Sequence, residues 1–398
     1  MLRPLAILCI LRDPLPPRRA DVLTLFGVEL PRYGIRTALI GQADAQRTMA
    51  WPGGMLHRAG HFGGAANSLL APFFDSVKLL RAARSARPDL IQVRDKILIA
   101  VLAMLVAALL RIPFVYWMSF PIVEGYAARA GTTRLTSLHR LRAWATRCLL
   151  YRLVLPQAAL VFVQSAAMLD ALAARGLARH RLAAVPMGVD LALAASVMPT
   201  QDARLARRRV VVYVGSVARA RASTFLFDLA AALGAVRPDA LLVIAGDAPS
   251  PDEAAWFRSE LTRRRLHDSV VFTGWLAHAD ALGYVVRAEV GISPVPRGAL
   301  FDVSSPTKLV EYLALGVPAV ASDIPDQRFV IDQSGGGLCV PMTVPAFCTA
   351  IVALLDDPHR AEKGGCGQAW VRAHRSYDVI GRQVAERYRR LLATERRT

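Results

Sequence analysis

Strand-like and helix-like segments alternate along most of the chain, and this alternation constrains the fold more than any other feature. Short apolar runs such as Leu5–Leu11 and Leu90–Arg94 are followed by longer segments with helical periodicity. Alternation of this kind is typical of βαβ units, which build a parallel sheet with helices on both faces. The alternation stops at residues 191–209, where periodicity is lost, and then restarts.

The interruption predicts two doubly wound α/β domains. The first is expected to cover residues 1–190 and the second residues 210–375, with residues 191–209 as a linker. An arginine-rich amphipathic helix within residues 376–398 is expected to pack back on the first domain. Because ligands bind beyond the carboxyl ends of the strands in open α/β sheets, we expect the two domains to face each other across a cleft.

The composition indicates the charge of the expected partner and the redox state of the expected compartment. The chain has 398 residues, 54% of them hydrophobic, and carries 49 Lys and Arg against 31 Asp and Glu, a net charge of +18. This excess favours an anionic partner such as nucleic acid, acidic lipid or phosphate. The five cysteines are scattered without metal-ligand spacing, which favours a reducing cytosol. The Leu5–Leu11 run lacks a cleavage site, so it is interpreted as a buried strand rather than a signal peptide.

Residues 304–322 predict one short helix followed by a strand. Ser305 is a good N-cap, Pro306 suits the first helical position, and Gly316 suits the position just past the end. Leu309 and Leu313 supply the apolar stripe that such a helix buries.

The same helix carries the strongest candidate for a ligand site. Thr307 and Lys308 lie in its first turn, where free N–H groups favour an anion. Glu311 lies three residues after Lys308 and is suited to accept hydrogen bonds from hydroxyls. A ligand that places a phosphate at the helix start and hydroxyl groups near Glu311 would be a nucleotide sugar.

Two strand ends in the second half add candidate donor contacts. Gly215 and Ser216 follow one strand, and Arg219 and Arg221 come just before the next helix, where guanidinium groups suit a diphosphate. The alternative is a turn with solvated arginines, and the segment matches neither a P-loop nor a dinucleotide-binding glycine motif.

Three further segments have two interpretations each. Gly274 and Trp275 follow another strand, where they either contact a base or cap the sheet. Ser119 and Glu124 follow a strand of the first half, as acceptor-side contacts or as a packed aromatic turn. Ile97–Leu110 is a buried helix or a membrane-dipping segment, because fourteen residues are too few to span a bilayer.

A basic stretch extends from Arg129 to Arg152, with Trp, Tyr and Leu residues interleaved and no acidic residue. This pattern suits the surface of an anionic membrane, and a solvated helix face is the alternative. No recognised nucleic-acid-binding module is present, so nucleic acid is not the expected partner.

The second half closely resembles family 4 of the retaining glycosyltransferases, which have the GT-B fold, in a subgroup with a Ser-Pro-x-Lys…Glu donor motif. The resemblance rests on residues 213–216, 243–247, 271–275, 305–322 and 334–338, which occur in the family's order and spacing.

The resemblance implies a nucleoside-diphosphate sugar in the second domain and neither a metal nor another cofactor. Glu311 would hold the ribose hydroxyls, while Lys308, Arg219 or Arg221 and the helix start at Thr307 would neutralise the diphosphate. Trp275 would contact the base. The implied catalytic residues are Lys308, Glu311 and Arg221. The implied donor-binding residues are Gly215, Ser216, Arg219, Arg221, Gly274, Trp275, Asp302, Ser305, Thr307, Lys308 and Glu311.

Two positions depart from the family's pattern. The family's second carboxylate stands eight residues before Glu311, where this chain has Val303, and Asp302 is the nearest acid. The family's histidine in the first domain corresponds to Ser119.

We therefore expect a metal-independent, membrane-peripheral retaining glycosyltransferase of the cytosol, at the inner face of the cell membrane. It would transfer a sugar from a UDP- or GDP-sugar to a lipid-linked or polysaccharide acceptor in cell-envelope glycan synthesis. The alternatives are a nucleotide-sugar epimerase of the same architecture and a non-catalytic nucleotide-sugar-binding subunit.

Overall fold

Two compact units make up the chain. The computed structural model describes residues 4–17, 19–43, 51–61, 65–121, 123–125, 137–218 and 223–395. Unit 1 comprises Met1–Pro186 and Tyr377–Thr398, and unit 2 comprises Met187–Ser376. The C-terminal helix is thus part of unit 1.

Residues 191–209, predicted as a linker, are instead part of unit 2. Asp190 caps a short helix there, accepting hydrogen bonds from the N–H groups of Ala192 and Leu193. Leu193 packs against the unit 2 core, and Leu205 is fully buried in it. The helix is too short to show periodicity, which explains why the sequence pattern missed it.

Unit 1 is built on a seven-stranded sheet in the order β3-β2-β1-β4-β5-β6-β7. Every neighbouring pair is parallel, as the alternation predicts. The eight-residue β3 and the three-residue β7 were not predicted from the sequence. The strands are β1 (Leu5–Leu11), β2 (Ile35–Ala43), β3 (Gly54–His61), β4 (Leu90–Arg94), β5 (Phe114–Met118), β6 (Leu160–Val163) and β7 (Leu182–Ala184).

Helices cover both faces of this sheet. The described helices are α1 (Ala20–Thr24), continued by a π-helical turn (Leu25–Glu29) and α2 (Leu30–Arg32); α3 (Ala65–Ala86); α4 (Ile97–Leu110); α5 (Ser137–Cys148), continued by a second π-helical segment (Leu149–Val154) and α6 (Leu155–Gln157); α7 (Ala166–Ala173); and the C-terminal α16 (Tyr377–Glu395). α4 lies between α3 and the second π-helical segment, whereas α16 packs on the first π-helical turn. Among the described helices, none is long and apolar enough to cross a membrane.

An aromatic row joins α16 to the core of unit 1. The ring centroids of Phe26 and Trp117 are 5.2 Å apart, those of Trp117 and Phe162 4.6 Å, and those of Phe162 and Tyr388 5.3 Å. The Tyr388 hydroxyl donates a buried hydrogen bond to Gln92 Oε1 at 2.6 Å. The C-terminal helix is therefore fixed by both apolar packing and a buried polar contact.

Unit 2 contains a six-stranded parallel sheet in the order β10-β9-β8-β11-β12-β13. The strand order reverses between β8 and β11, so the carboxyl ends of these two strands flank the expected ligand crevice. The strands are β8 (Arg209–Val214), β9 (Ala240–Ala245), β10 (Val270–Phe272), β11 (Val290–Ser293), β12 (Ala319–Ser322) and β13 (Gly337–Val340).

Eight α-helices of unit 2 lie within the described residues: α8 (Leu191–Ser196), α9 (Ser223–Val236), α10 (Pro251–Arg263), α11 (His278–Arg287), α12 (Thr307–Ala314), α13 (Pro325–Ser334), α14 (Val344–Asp356) and α15 (Arg360–His374). Two hydrophobic clusters form the core of the unit. The last three helices and β13 were not predicted from the sequence pattern.

The buried hydroxyl of Tyr388 yields a stability prediction. Tyr388→Phe should lower the free energy of unfolding of unit 1 by about 1–3 kcal/mol, because Gln92 Oε1 loses its buried donor. Tyr33→Phe is the matched control. Its hydroxyl also bonds to α16, at Asp378, but in solvent, so its change should stay within about 0.5 kcal/mol. Urea unfolding measures both, and equal losses would contradict the assignment.

Candidate functional site

α12 begins one residue later than predicted. Its N-cap position is held by Pro306, which has extended backbone angles, and the first helical residue is Thr307. Proline carries no side-chain oxygen and therefore cannot cap the first-turn N–H groups. The predicted apolar stripe is confirmed, because Leu309 and Leu313 are both fully buried.

Ser305 does not cap the helix and has a different role. Its Oγ accepts a hydrogen bond from the N–H of Met187 at 3.0 Å and donates one to Asp326 Oδ2 at 2.8 Å. Arg375 pairs with the same carboxylate at 2.7 Å. Ser305 is 5% exposed and joins backbone segments of unit 2. Its role as a donor-binding residue stays a prediction.

Three glycines meet at the carboxyl ends of β8, β9 and β10. Gly215, Gly246 and Gly274 all have positive φ, at 140°, 152° and 72°. A Cβ at Gly246 would lie 2.3 Å from the carbonyl oxygen of Gly215, so this position requires glycine. The result is a sheet edge without side chains, where a ligand can approach the backbone.

Lys308 reaches the same edge from α12. A Cβ at Gly215 would lie 3.8 Å from Lys308 Nζ, so the ammonium group is held close to this backbone. Nζ also lies 5.1 Å from the centroid of the Tyr213 ring, a cation–π contact. The helix start and the lysine therefore place positive charge beside an open backbone edge.

Tyr312 fixes α12 against the sheet and was missed as a structural residue of the site. Its buried hydroxyl accepts a hydrogen bond from the Val214 N–H at 2.9 Å and donates one to the Ile292 carbonyl at 3.2 Å. These groups belong to β8 and β11, the two strands that flank the crevice.

Glu311 has a partner that sequence reasoning missed. His278 Nε2 lies 2.9 Å from Glu311 Oε1, and Glu311 is 8% exposed. His278 begins α11, four residues after Gly274, so the pair lies next to the glycine edge. The hydrogen bond to Glu311 raises the pKa of His278, although partial burial opposes the rise. No spacing pattern signals this contact, because the residues are 33 positions apart.

The remaining predicted donor residues differ in placement. Asp302 accepts hydrogen bonds from Arg297 Nε at 2.8 Å and from the Gly298 N–H at 3.2 Å, so it already has partners. Burial opposes ionisation of Asp302, but these hydrogen bonds hold its pKa below the ordinary value.

The other predicted donor residues have fewer contacts. The Ser216 carbonyl accepts a hydrogen bond from the Tyr213 hydroxyl. The Trp275 side chain is 77% exposed. Arg219 and Arg221 lie outside the described residues.

In unit 1, Ser119 forms a pair with Asp95. The Ser119 hydroxyl donates to Asp95 Oδ2, and the Ser119 N–H donates to Oδ1 at 2.9 Å. Burial raises the pKa of Asp95, with Arg94 and the Ser119 hydrogen bonds opposing it. This carboxylate at the ends of β4 and β5 was also missed from the sequence.

Glu124 and the basic stretch also lie in unit 1. Glu124 Oε1 accepts hydrogen bonds from the Tyr151 hydroxyl at 2.8 Å and from Arg175 at 3.0 Å. Of the basic stretch from Arg129 to Arg152, Arg129 and Arg134 lie outside the described residues. The described arginines of this stretch are all exposed: Arg140, Arg142, Arg147 and Arg152.

The arrangement in unit 2 fits an anion next to a hydroxyl-bearing group. Lys308 and the α12 start supply positive charge at Gly215, and one turn later Glu311 supplies a carboxylate whose orientation His278 fixes. Across the described ranges, no group of three or more His, Cys, Asp and Glu side chains is arranged to hold a metal ion.

Two family models match this architecture. Residues 19–188 match the "Glycosyl transferase 4-like domain", and residues 208–357 match "Glycosyl transferases group 1". Both halves of the chain thus match glycosyltransferase family models, and the two parallel sheets with their helices fit the two-domain GT-B fold. The two matches correspond to the two units, with α12 inside the second.

Known proteins agree with this family. Alpha-D-kanosaminyltransferase of Streptomyces kanamyceticus is 29% identical over 187 residues, and the match covers 46% of each protein. The chain thus spans about half the length of that curated relative. A sucrose-phosphate synthase from Thermosynechococcus elongatus superimposes with a TM-score of 0.73 at 21% identity, covering 98% of this chain and 100% of that one. The Anabaena protein HepE, solved with UDP and glucose, gives 0.68 at 18% identity, covering 96% and 99%.

The His278–Glu311 pair gives a pH-dependent prediction. A histidine whose pKa is raised on folding adds stability below its unfolded pKa, and this contribution is lost as pH rises through the folded pKa. The difference in urea midpoint between the wild type and His278→Gln should therefore be larger near about pH 5.5 than near about pH 8.5.

Glu311→Gln supplies the second arm of this test. It removes the carboxylate that favours the imidazolium form of His278. The urea midpoint of Glu311→Gln should therefore depend less on pH than that of the wild type, as it should for His278→Gln. A midpoint difference for His278→Gln that stays constant with pH would contradict the coupling.

Proposed function

We propose that this glycosyltransferase transfers a sugar from a UDP- or GDP-sugar to a lipid-linked or polysaccharide acceptor, with retention of anomeric configuration. The observation that carries the proposal is the position of Lys308 and Glu311 three residues apart on α12, one at the Gly215 backbone and the other bonded to His278. This spacing matches a diphosphate followed by a ribose.

Each part of the donor then has a contact. Lys308 and the N–H groups at Thr307 would hold the diphosphate, together with Ser216 and with Arg219 or Arg221. Glu311 Oε1 is bonded to His278, which orients the second carboxylate oxygen for the ribose hydroxyls. The exposed Trp275 ring and the Gly274 backbone are available to the base. The UDP bound in the Anabaena neighbour supports a nucleoside diphosphate as ligand class.

The proposed reaction uses the donor diphosphate as leaving group and as base. The acceptor hydroxyl oxygen forms a bond to the anomeric carbon while the bond from that carbon to the diphosphate oxygen breaks. The acceptor proton passes to the departing diphosphate on the same face. Lys308 and the α12 start stabilise the negative charge that develops there, which is the main electrostatic contribution that this step requires.

The acceptor is proposed to bind unit 1. Ser119 and Asp95 form a polar pair at the carboxyl ends of neighbouring parallel strands, where such sheets bind ligands. Glu124 follows five residues after Ser119 in the sequence. The exposed arginines between Arg129 and Arg152 favour an anionic membrane surface, and hence a location at the cytoplasmic face of the cell membrane and a role in cell-envelope glycans.

A thermal-shift screen of UDP- and GDP-sugars tests the donor class, because a ligand that binds only the folded state raises the melting temperature. Product analysis with membrane extract then separates the alternatives. Conversion of the donor sugar without acceptor indicates an epimerase, and nucleotide binding without turnover indicates a binding subunit.

Two substitutions test the assigned roles. Lys308→Ala should lower kcat by about 100- to 1,000-fold, because one charge-stabilising group at the leaving diphosphate is lost. Glu311→Ala should weaken donor binding and abolish measurable transfer. The controls are Lys363→Ala and Glu362→Ala, which alter outward-facing residues of α15 in the same unit. Full activity in either site variant would overturn the proposal.

The absence of a metal from the proposed reaction is tested separately. Because Lys308 and the helix start supply the positive charge, transfer should retain full rate after treatment with EDTA. Loss of activity that Mg²⁺ or Mn²⁺ restores would show that the diphosphate needs a metal.

A further inference from the structure

α4 is apolar on its whole circumference, yet one of its sides faces solvent. Its fourteen residues include no charged or polar side chain. One side is buried against the sheet, through residues such as Ala100, Ala103 and Ala107. On the opposite side Leu98, Leu105 and Leu109 are 59%, 52% and 83% exposed. A helix without a polar side is normally covered by protein or lipid.

The neighbouring helix α3 extends this surface. Leu70 and Leu80 are exposed on its outward side, and so are Phe73 and Phe74, whose ring centroids are 5.6 Å apart. Because α3 packs beside α4, the outward sides of the two helices are adjacent. We call these exposed side chains the apolar face; they are Leu70, Phe73, Phe74 and Leu80 of α3 and Leu98, Leu105, Leu109 and Leu110 of α4. Such a cluster exceeds the scattered apolar residues of an ordinary surface.

The charges around the apolar face have one sign. Arg81 and Arg84 are exposed on α3, and Arg111 follows α4 directly. The only acidic residue in the α3 sequence, Asp75, is buried and paired with Lys96. The sequence contains no acidic residue at positions 97–123. Apolar side chains bordered by arginines are complementary to a bilayer that carries anionic headgroups.

We propose that the apolar face docks side-on into an anionic lipid bilayer. The leucines and phenylalanines enter the boundary between headgroups and acyl chains, while Arg81, Arg84 and Arg111 contact the headgroups. The apolar face lies outside the basic stretch from Arg129 to Arg152. It would add an apolar contribution to the electrostatic attraction between that stretch and the membrane. The inference deepens the proposed function, since it rests on a membrane-held acceptor, but the docking itself requires no sugar transfer.

Vesicle flotation tests the docking. The wild type should float with vesicles of phosphatidylglycerol and phosphatidylcholine, and much less with phosphatidylcholine alone. Leu105→Gln/Leu109→Gln should lower the partition coefficient by about 100-fold, because two leucine side chains no longer favour the lipid. A wild type that stays unbound with anionic vesicles, or a double variant that binds as well as the wild type, would overturn the proposal.

The matched control replaces exposed apolar residues elsewhere. Met198→Gln/Val236→Gln alters two exposed side chains of unit 2 and should leave flotation unchanged. Arg81→Gln/Arg84→Gln should reduce the preference for anionic over neutral vesicles, and equal binding to both lipids by the wild type would contradict the charge argument. Melting temperatures close to that of the wild type confirm that the variants fold.

A second copy of the chain is the competing occupant. Light scattering decides between them: a wild-type dimer that Leu105→Gln/Leu109→Gln converts to monomer, without lipid binding, overturns the membrane assignment. Donor binding keeps the two proposals apart, since the double variant should bind the nucleotide as the wild type does. If the wild type floats with anionic vesicles but binds no nucleotide, the proposed function is contradicted and the docking proposal still holds.

Discussion

The position of α12, and with it the proposed donor site, depends on a pair of hydrogen bonds made by one buried tyrosine. Tyr312 accepts from the Val214 N–H and donates to the Ile292 carbonyl, and so joins α12 to β8 and β11 at the reversal of strand order. Gly291 makes room for the ring, because a Cβ there would lie 2.4 Å from Tyr312 Cδ2. Loss of the hydroxyl would remove one hydrogen bond from each of these two backbone groups, at a net cost of about 0.5–1.5 kcal/mol each.

This anchoring explains how two charged residues serve one ligand. On a helix of eight residues, Lys308 and Glu311 differ in position by less than one turn, and the buried Leu309 and Leu313 fix the rotation of the helix. With the rotation fixed, the lysine lies at the Gly215 backbone and the glutamate meets His278. A rigid element that carries both groups keeps their separation constant, which is what preorganised charge stabilisation requires.

Much of the fold was predictable because its signals are local. Leu5–Leu11, Ile97–Leu110 and Val290–Ser293 have the bounds that their apolar runs predict. The missed β7, with three residues, and α8, with six, are too short to show a period. α13 and α15 have mixed surfaces, whereas α14 contains an apolar run that the sequence analysis did not assign. The linker prediction failed for the same reason, since Leu205 is held by tertiary packing that no local pattern reveals.

The site divides along the same line between local and distant contacts. Lys308 and Glu311 were predicted because helix spacing brings them together, whereas His278, Tyr312 and Asp95 have partners far away in sequence. For Asp302 the sugar contact stays a prediction. The structure adds a local partner, Arg297, which lies five residues before Asp302 and bonds its carboxylate.

Ser305 shows why a local capping signal was misread and what the residue does instead. Unit 2 begins at Met187 and ends at Ser376, and Ser305 Oγ bonds the Met187 N–H while its partner Asp326 binds Arg375. The start and the end of the unit are therefore both tied to the residue two positions before α12. A buried ion pair alone is weak evidence for stability, because desolvation offsets its attraction. Here the serine hydroxyl satisfies the second carboxylate oxygen, so the pair is completed by the backbone that leads into the donor helix. The position of Lys308 and Glu311 is consequently coupled to the points where the chain enters and leaves the unit.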